Sequence, residues 1–181
     1  MNKTLKLGIT LLIISAVAAA ILAFSNGATK DKIAEIELKN TQDALAGIYG
    51  VVEDYDSVEG AELEGLQEVD EGLTAVYAIK EAGEIAGHSI TTVTNGFGGP
   101  VEIMVGFSGD GEVLGVRVLK HGETAGIGSK AAEPEFTDTF EGKSADTEIE
   151  VETISGATIT SSAVIKGVNQ AREVYQAVLA N

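Results

Sequence analysis

Cysteine and tryptophan are absent from this 181-residue chain, histidine occurs only at His88 and His121, and proline only at Pro100 and Pro134. Without a thiol there is no disulfide, no thiolate nucleophile, no cysteine-ligated iron–sulfur cluster and no cysteine zinc site. Two histidines leave little from which to build a histidine metal centre, so no metal site is expected. Basic residues are also scarce, with 12 Lys and Arg against 28 Asp and Glu and a net charge of −16. Nucleic-acid affinity depends on basic side chains that neutralise phosphates and release counterions, so the expectation is no nucleic-acid partner.

Apolar residues at 44% and charged residues at 22% are near ordinary globular values, which excludes a wholly disordered chain or a many-span membrane protein. The apolar residues are unevenly spread. Leu7 to Phe24 is an 18-residue run without a charge, and the next charged side chain is Lys30. As a helix that run spans roughly 27 Å, enough to cross a bilayer core of about 30 Å once. A cleaved signal peptide is the alternative, since Ala18 to Ala20 imitates a small-x-small cleavage site. A retained anchor is the preferred reading, because the apolar run exceeds the usual length of a signal-peptide core. Lys3 and Lys6 precede the run, and the positive-inside tendency places that end in the cytoplasm and the remainder outside. The exported part then holds 10 basic and 28 acidic residues, a net charge of −18.

Three regions are expected: residues 1–27 as cytoplasmic N-terminus and anchor, 28–72 as a helix and acidic connecting region, and 73–181 as the main domain. Lys30 to Ala46 reads as a helix stopped by Gly47. A short strand is expected near Ile48 to Val52, followed by loops to Asp70. The acidic run Glu53 to Glu71 reads as a solvated face, with a docking surface for other subunits as its functional alternative. From Leu73 the period becomes two: Leu73–Lys80, Ile85–Val93, Val101–Phe107 and Val113–Leu119 are β-branched or alternating and bounded by turn residues, the pattern of an antiparallel meander. Lys130 to Phe140 reads as a short helix with Pro134 near its first turn. Glu148 to Thr153 alternates acids with Ile149 and Val151 and reads as a half-exposed strand. In the last segment Val164, Val168, Ala171, Tyr175 and Val178 recur at helical steps, the apolar stripe of a helix packed on a sheet. The fold class is α+β: one N-terminal transmembrane helix, then one domain with an antiparallel-rich sheet and covering helices.

Two loops carry the chemistry. Ser155-Gly156-Ala157-Thr158-Ile159-Thr160-Ser161-Ser162 lies between the last expected strand and the last helix and holds five hydroxyl residues. Its plain role is a helix N-cap, with Thr160, Ser161 or Ser162 accepting from the first free amides and Gly156 making the turn. Its sharper role is a phosphate site, because a helix N-terminus offers free amides and the positive end of the dipole. The second loop, His121-Gly122-Glu123-Thr124-Ala125-Gly126-Ile127-Gly128, reads either as a glycine-rich turn or, through Gly126-x-Gly128-x-x-Ala131 with Glu148 and Glu150 further on, as an imitation of a dinucleotide fingerprint.

Ser155-Gly156-Ala157-Thr158-Ile159-Thr160-Ser161 resembles the S-G-A-T-x-T-S flavinylation motif of the FMN-binding domain family of Rnf complexes and Na⁺-translocating NADH:quinone reductases. Gly96-Phe97-Gly98-Gly99-Pro100, then a strand, Asp110-Gly111 and a further strand resemble the same family. So does the loop from His121 to Gly128, where Ala125 stands at a position usually held by Pro, a change that removes no chemical group. The resemblance implies covalent FMN, joined by a phosphoester to Thr158 by an exported flavin transferase. It further implies that Ser155, Gly156, Ala157, Thr160, Ser161, Glu123, Thr124, Gly126, Ile127 and Gly128 surround the cofactor, with His121 a candidate neighbour. His88 receives no role in the site.

No catalytic side chain is implied, since a flavin supplies the redox chemistry and the protein supplies position, exclusion of water and tuning. The implied activity is that of an electron-transfer subunit in a membrane-bound, ion-translocating ferredoxin:NAD⁺ oxidoreductase of Rnf type, with other subunits of the complex and the bilayer as partners. Within the family the chain length fits the G subunit of Rnf better than the C subunit of the quinone reductase. A flavin-free, membrane-anchored interaction module is the alternative of another class.

Overall fold

The structure is a computed structural model covering residues 3–52 and 54–179; Met1, Asn2, Ala180, Asn181 and Glu53, the first residue of the expected acidic face, lie outside the described residues. The chain divides into two compact units, Met1–Thr41 and Gln42–Asn181. Residues 42–72, expected to form part of a connecting region, therefore fall in the same unit as the sheet.

The first unit is most of a single helix, α1 (Lys3–Tyr49). Its apolar window of 18 residues has a mean hydropathy of 2.6 and none of it is buried by the protein, so it is long and apolar enough to cross a membrane. The anchor and the following helix are one element. Gly47, expected to stop it, lies inside it; the stop is Gly50, whose φ of 78° is the left-handed conformation that ends helices, with its N–H on the Ala46 carbonyl at 2.9 Å. Ile48 and Tyr49 are thereby helical, in place of the strand expected from Ile48 to Val52. The cause is packing, because Ile48 presses on Gly106 and Gly115, where the absence of side chains leaves room, while Leu45 is 1% exposed.

In the second unit β1 (Asp54–Ser57), β2 (Leu73–Glu81), β3 (Glu84–Asn95), β4 (Pro100–Ser108) and β5 (Val113–His121) form one sheet in sequential order, every neighbouring pair antiparallel. The meander from Leu73 is as expected. The loops expected before it contain β1 and a short helix, α2 (Ala61–Gln67), whose Leu63 and Leu66 reach the core while Glu62 and Glu64 stay exposed. Asp70 departs from a solvated face, since its carboxylate accepts from Gly72 N–H at 2.7 Å and from Gln170 Nε2 at 2.5 Å.

The helix expected over Lys130–Phe140 is broken into a 3₁₀ turn (Gly128–Ala132), α3 (Pro134–Thr137) and a second 3₁₀ turn (Asp138–Phe140). Proline has no N–H and disfavours a helical residue before it, so α3 starts afresh at Pro134, and Phe136 and Phe140 meet edge to face at 5.5 Å. Residues 148–153 lie in no strand, contrary to expectation.

Helix α4 (Thr158–Leu179) buries Val164, Val168, Ala171 and Tyr175 on the sheet, with Val178 partly buried, as the spacing predicts. Thr92 and Thr94 of β3 donate to the α4 carbonyls of Gly167 and Ala163, each at 3.0 Å. The opposite sheet face is covered by Ala44, Leu45, Ile48 and Tyr49, packed with Ile79 and Met104. Arg117 Nη2 donates to the Gly47 carbonyl at 3.1 Å, placing a cation at the negative end of α1.

Candidate functional site

The hydroxyl-rich loop enters α4 through a turn set by Gly156 at φ 82°, with Ala157 N–H on the Ile154 carbonyl at 2.9 Å. The first helical hydrogen bond runs from Ser161 N–H to the Ala157 carbonyl at 2.9 Å, so the amides of Thr158, Ile159 and Thr160 precede the ladder and have no helical acceptor. Thr158 and Ile159 are exposed at this end. The capping expected of Thr160, Ser161 or Ser162 is not made. Ser161 Oγ instead accepts from Ile154 N–H at 3.1 Å and donates to the Ala157 carbonyl at 2.9 Å, locking the turn from beneath.

The second loop meets the first through Glu123. Its Oε2 accepts from Thr160 Oγ1 at 2.7 Å and its Oε1 accepts from Gly98 N–H at 2.9 Å. Burial pushes the Glu123 carboxyl up, but the Thr160 hydroxyl, the Gly98 and Phe97 amides and nearby His121 outweigh it, leaving Glu123 below its ordinary range. Gly128 passes close to this pair: a Cβ there would lie 2.6 Å from Glu123 Oε2 and 3.1 Å from Thr160 Oγ1. Glycine is the residue that permits this approach.

Together the two loops line a groove of about 380 Å³, formed by Phe97, Glu123, Thr124, Ile127, Gly128 and the run from Gly156 to Thr160. Phe97, Ile127 and Ile159 are 74%, 55% and 57% exposed, an unusual grouping of large apolar side chains at one opening. No Lys or Arg is among the lining residues. The groove thus pairs apolar walls for a flat ring with a helix N-terminus for an anion, and its volume is in the range of small-molecule sites. FMN has both of these parts, and the residues present fit it.

Of the residues expected around the cofactor, Ser155, Ser161 and Gly126 do not line the groove. Ser155 is exposed beside it, Ser161 is buried beneath the turn, and Gly126 makes the loop's own turn at φ 76° with its N–H on Ser129 Oγ. His121 does not line the groove; its Nδ1 accepts from Glu123 N–H at 3.2 Å, and it lines a second cleft with Val93, Pro100, Glu102, Lys120 and Gly122. Phe97 and Ile159 are the groove residues whose role the sequence left open; the signal for Phe97 is a large aromatic inside a glycine-rich turn. The dinucleotide reading fails, since Gly128 opens a 3₁₀ turn and β5 runs antiparallel to β4 where that fold needs a parallel strand–helix–strand unit.

The FMN-binding domain family matches residues 96–173, a span that includes the lining of the groove. The chain is 36% identical to the G subunit of the Na(+)-translocating ferredoxin:NAD(+) oxidoreductase complex of Acetobacterium woodii, over 94% of this chain and 91% of that protein. It is 31% identical to the G subunit of the ion-translocating oxidoreductase complex of Methanosarcina acetivorans, over 95% and 94% of the two chains. Among solved structures, the C subunit of the Na(+)-translocating NADH-quinone reductase of Parabacteroides distasonis superposes with a TM-score of 0.60 at 19% identity, covering 84% of this chain and 96% of that one, a likeness of fold. With an FMN-binding domain and similarity to these relatives over nearly its whole length, the chain belongs to the family of G subunits of ion-translocating oxidoreductase complexes.

Proposed function

We infer that this chain is the membrane-anchored electron-transfer subunit of an ion-translocating ferredoxin:NAD⁺ oxidoreductase complex, with FMN joined by a phosphoester to Thr158. One observation carries the reading of the site: Thr158 stands exposed at the first position of α4, beside amides that precede the helical ladder, in the groove made by both loops. The bond requires that Thr158 Oγ attack the phosphorus of an FMN donor. The Oγ–P bond forms, the bond from phosphorus to its leaving group breaks, and the hydroxyl proton departs with that group. The diester keeps a single negative charge, which the α4 amides and dipole stabilise without a basic side chain. Phe97, Ile127 and Ile159 supply apolar walls for the ring. When bound, FMN supplies one- or two-electron transfer between partner subunits, and the protein supplies its position and its surroundings.

The anchor over residues 7–24 holds the subunit in the bilayer. The lysines at its start support a domain outside the cytoplasm, where an exported flavin transferase would attach the cofactor and a covalent bond would prevent its loss. Co-production with such a transferase, followed by a denaturing gel under ultraviolet light and intact-mass spectrometry, tests the assignment. The expected adduct is FMN less one water on the native chain and none on Thr158→Ala. An adduct persisting on Thr158→Ala refutes the acceptor, and a native chain that stays unlabelled refutes covalent FMN.

A further inference from the structure

We propose that Glu123 is a positioning residue that acts through Thr160 and Gly98, clasping the start of α4 and the Phe97 turn to opposite sides of one groove. The inference rests on the reading of Thr158 as the FMN acceptor and adds what holds that acceptor in place. The clasp joins segments far apart in the chain, since Glu123 lies 37 residues from Thr160 and 25 from Gly98. Each carboxylate oxygen takes one of the two bonds, so the side chain serves as a bridge between two walls. Hydrogen bonds to an ionised acceptor are the strong ones, and the bond from the buried Thr160 to the half-buried Glu123 is partly shielded from water.

Two consequences follow for the flavin site. The bond occupies the Thr160 hydroxyl, which lies two residues from Thr158 in the same helical turn, and leaves Thr158 as the exposed hydroxyl that α4 contributes to the groove lining. It also fixes the separation between that turn and Phe97, and so the width available to a flat ring. Position is the property at issue, and charge is not. A glutamine at 123 keeps an oxygen for Gly98 N–H and offers its own N–H to Thr160, whose hydroxyl reverses from donor to acceptor.

The test uses the full-length chain in detergent with an FMN donor and flavin transferase, comparing the native protein with Glu123→Ala, Glu123→Gln and Thr160→Val. Labelling is followed by intact mass, and the fully labelled proteins are compared by flavin fluorescence anisotropy. Glu123→Ala and Thr160→Val are expected to slow labelling about tenfold or more, the scale of one hydrogen bond broken with its partner left unpaired, and to lower the anisotropy as the ring gains freedom. Glu123→Gln is expected to recover most of both. Thr160→Val preserves shape and keeps the test open should Glu123→Ala fail to fold. Native rate and anisotropy in the variants that break the clasp would overturn the proposal, and so would a Glu123→Gln protein as impaired as Glu123→Ala. An unlabelled native chain would instead overturn the acceptor assignment, which keeps the two failures apart.

Discussion

The side-chain amide of Asn169 brackets the backbone of Ile149, accepting from its N–H at 2.8 Å and donating to its carbonyl at 2.9 Å. A residue of α4 thus supplies both bonds that a neighbouring strand would have made. Ile149 is 2% exposed, so neither group has water as a ready substitute. Asn169→Ala is expected to destabilise the domain by about 2–4 kcal/mol, the cost of leaving two buried backbone groups unpaired. Urea denaturation checks this, and a midpoint unchanged from the native protein would remove Asn169 from this role.

That pair also shows where sequence reading stops. The alternation of Glu148 to Thr153 correctly turns Ile149 and Val151 inward, but the strand it predicts does not form, and the partner of the Ile149 backbone is a side chain 20 residues away. The four strands from Leu73 onward were legible because each carries its own period and its own turn residues. The end of α1 was not, because Gly47 is a local stop signal overridden by the fit of Ile48 against Gly106, a contact between distant segments. At the site, the loops holding Glu123 and Thr158 were legible through resemblance, whereas the bond between Glu123 and Thr160 belongs to the folded chain alone.

Ser161 and Ser155 flank Thr158 and are expected to differ sharply. Ser161→Ala removes the acceptor for Ile154 N–H from a fully buried position and should cost about 1–3 kcal/mol while slowing FMN attachment, because the turn carrying Thr158 loses its lock. Ser155 is exposed, and Ser155→Ala should change stability by less than about 0.5 kcal/mol. Parallel thermal melts and intact-mass time courses decide between them, and equal behaviour of the two variants would contradict the structure.

Gly126 and Gly128 separate strain from collision. A Cβ at Gly126 meets nothing within 4 Å, so Gly126→Ala should cost only the strain of φ 76°, about 1 kcal/mol. Gly128→Ala drives a methyl into Glu123 and Thr160 and should impair FMN attachment more strongly than Gly126→Ala at comparable melting temperature. Labelling rates in the opposite order would show that the groove does not depend on this close approach.

His88 is 9% exposed and packs edge-on against the Tyr175 ring at 6.0 Å, and burial lowers its pKa from the ordinary 6.5. The folded state therefore favours the neutral imidazole more than the unfolded chain does. Below about pH 6.5 the unfolded chain takes up a proton that the folded chain resists, so this contribution is complete above that pH and declines on acidification until the lower folded pKa is reached. Urea midpoints should fall between about pH 7 and about pH 5, and His88→Gln should flatten that part of the curve. An unchanged slope in the variant would assign the dependence to other groups.

Protease added outside intact spheroplasts should digest the region beyond the anchor if Lys3 and Lys6 hold the N-terminus inside. Protection of that region until the membrane is opened would reverse the orientation and remove the rationale for an exported transferase.

The last turns of α1 carry a practical lesson for anyone seeking the flavin domain free of its membrane segment. Ala44, Leu45, Ile48 and Tyr49 roof one side of the sheet over Ile79 and Met104, and the Tyr49 hydroxyl donates to the His88 carbonyl at 2.8 Å. A fragment trimmed at Gly50 would bare an oily strip on the sheet and clump, whereas one begun near Thr41 keeps the roof on.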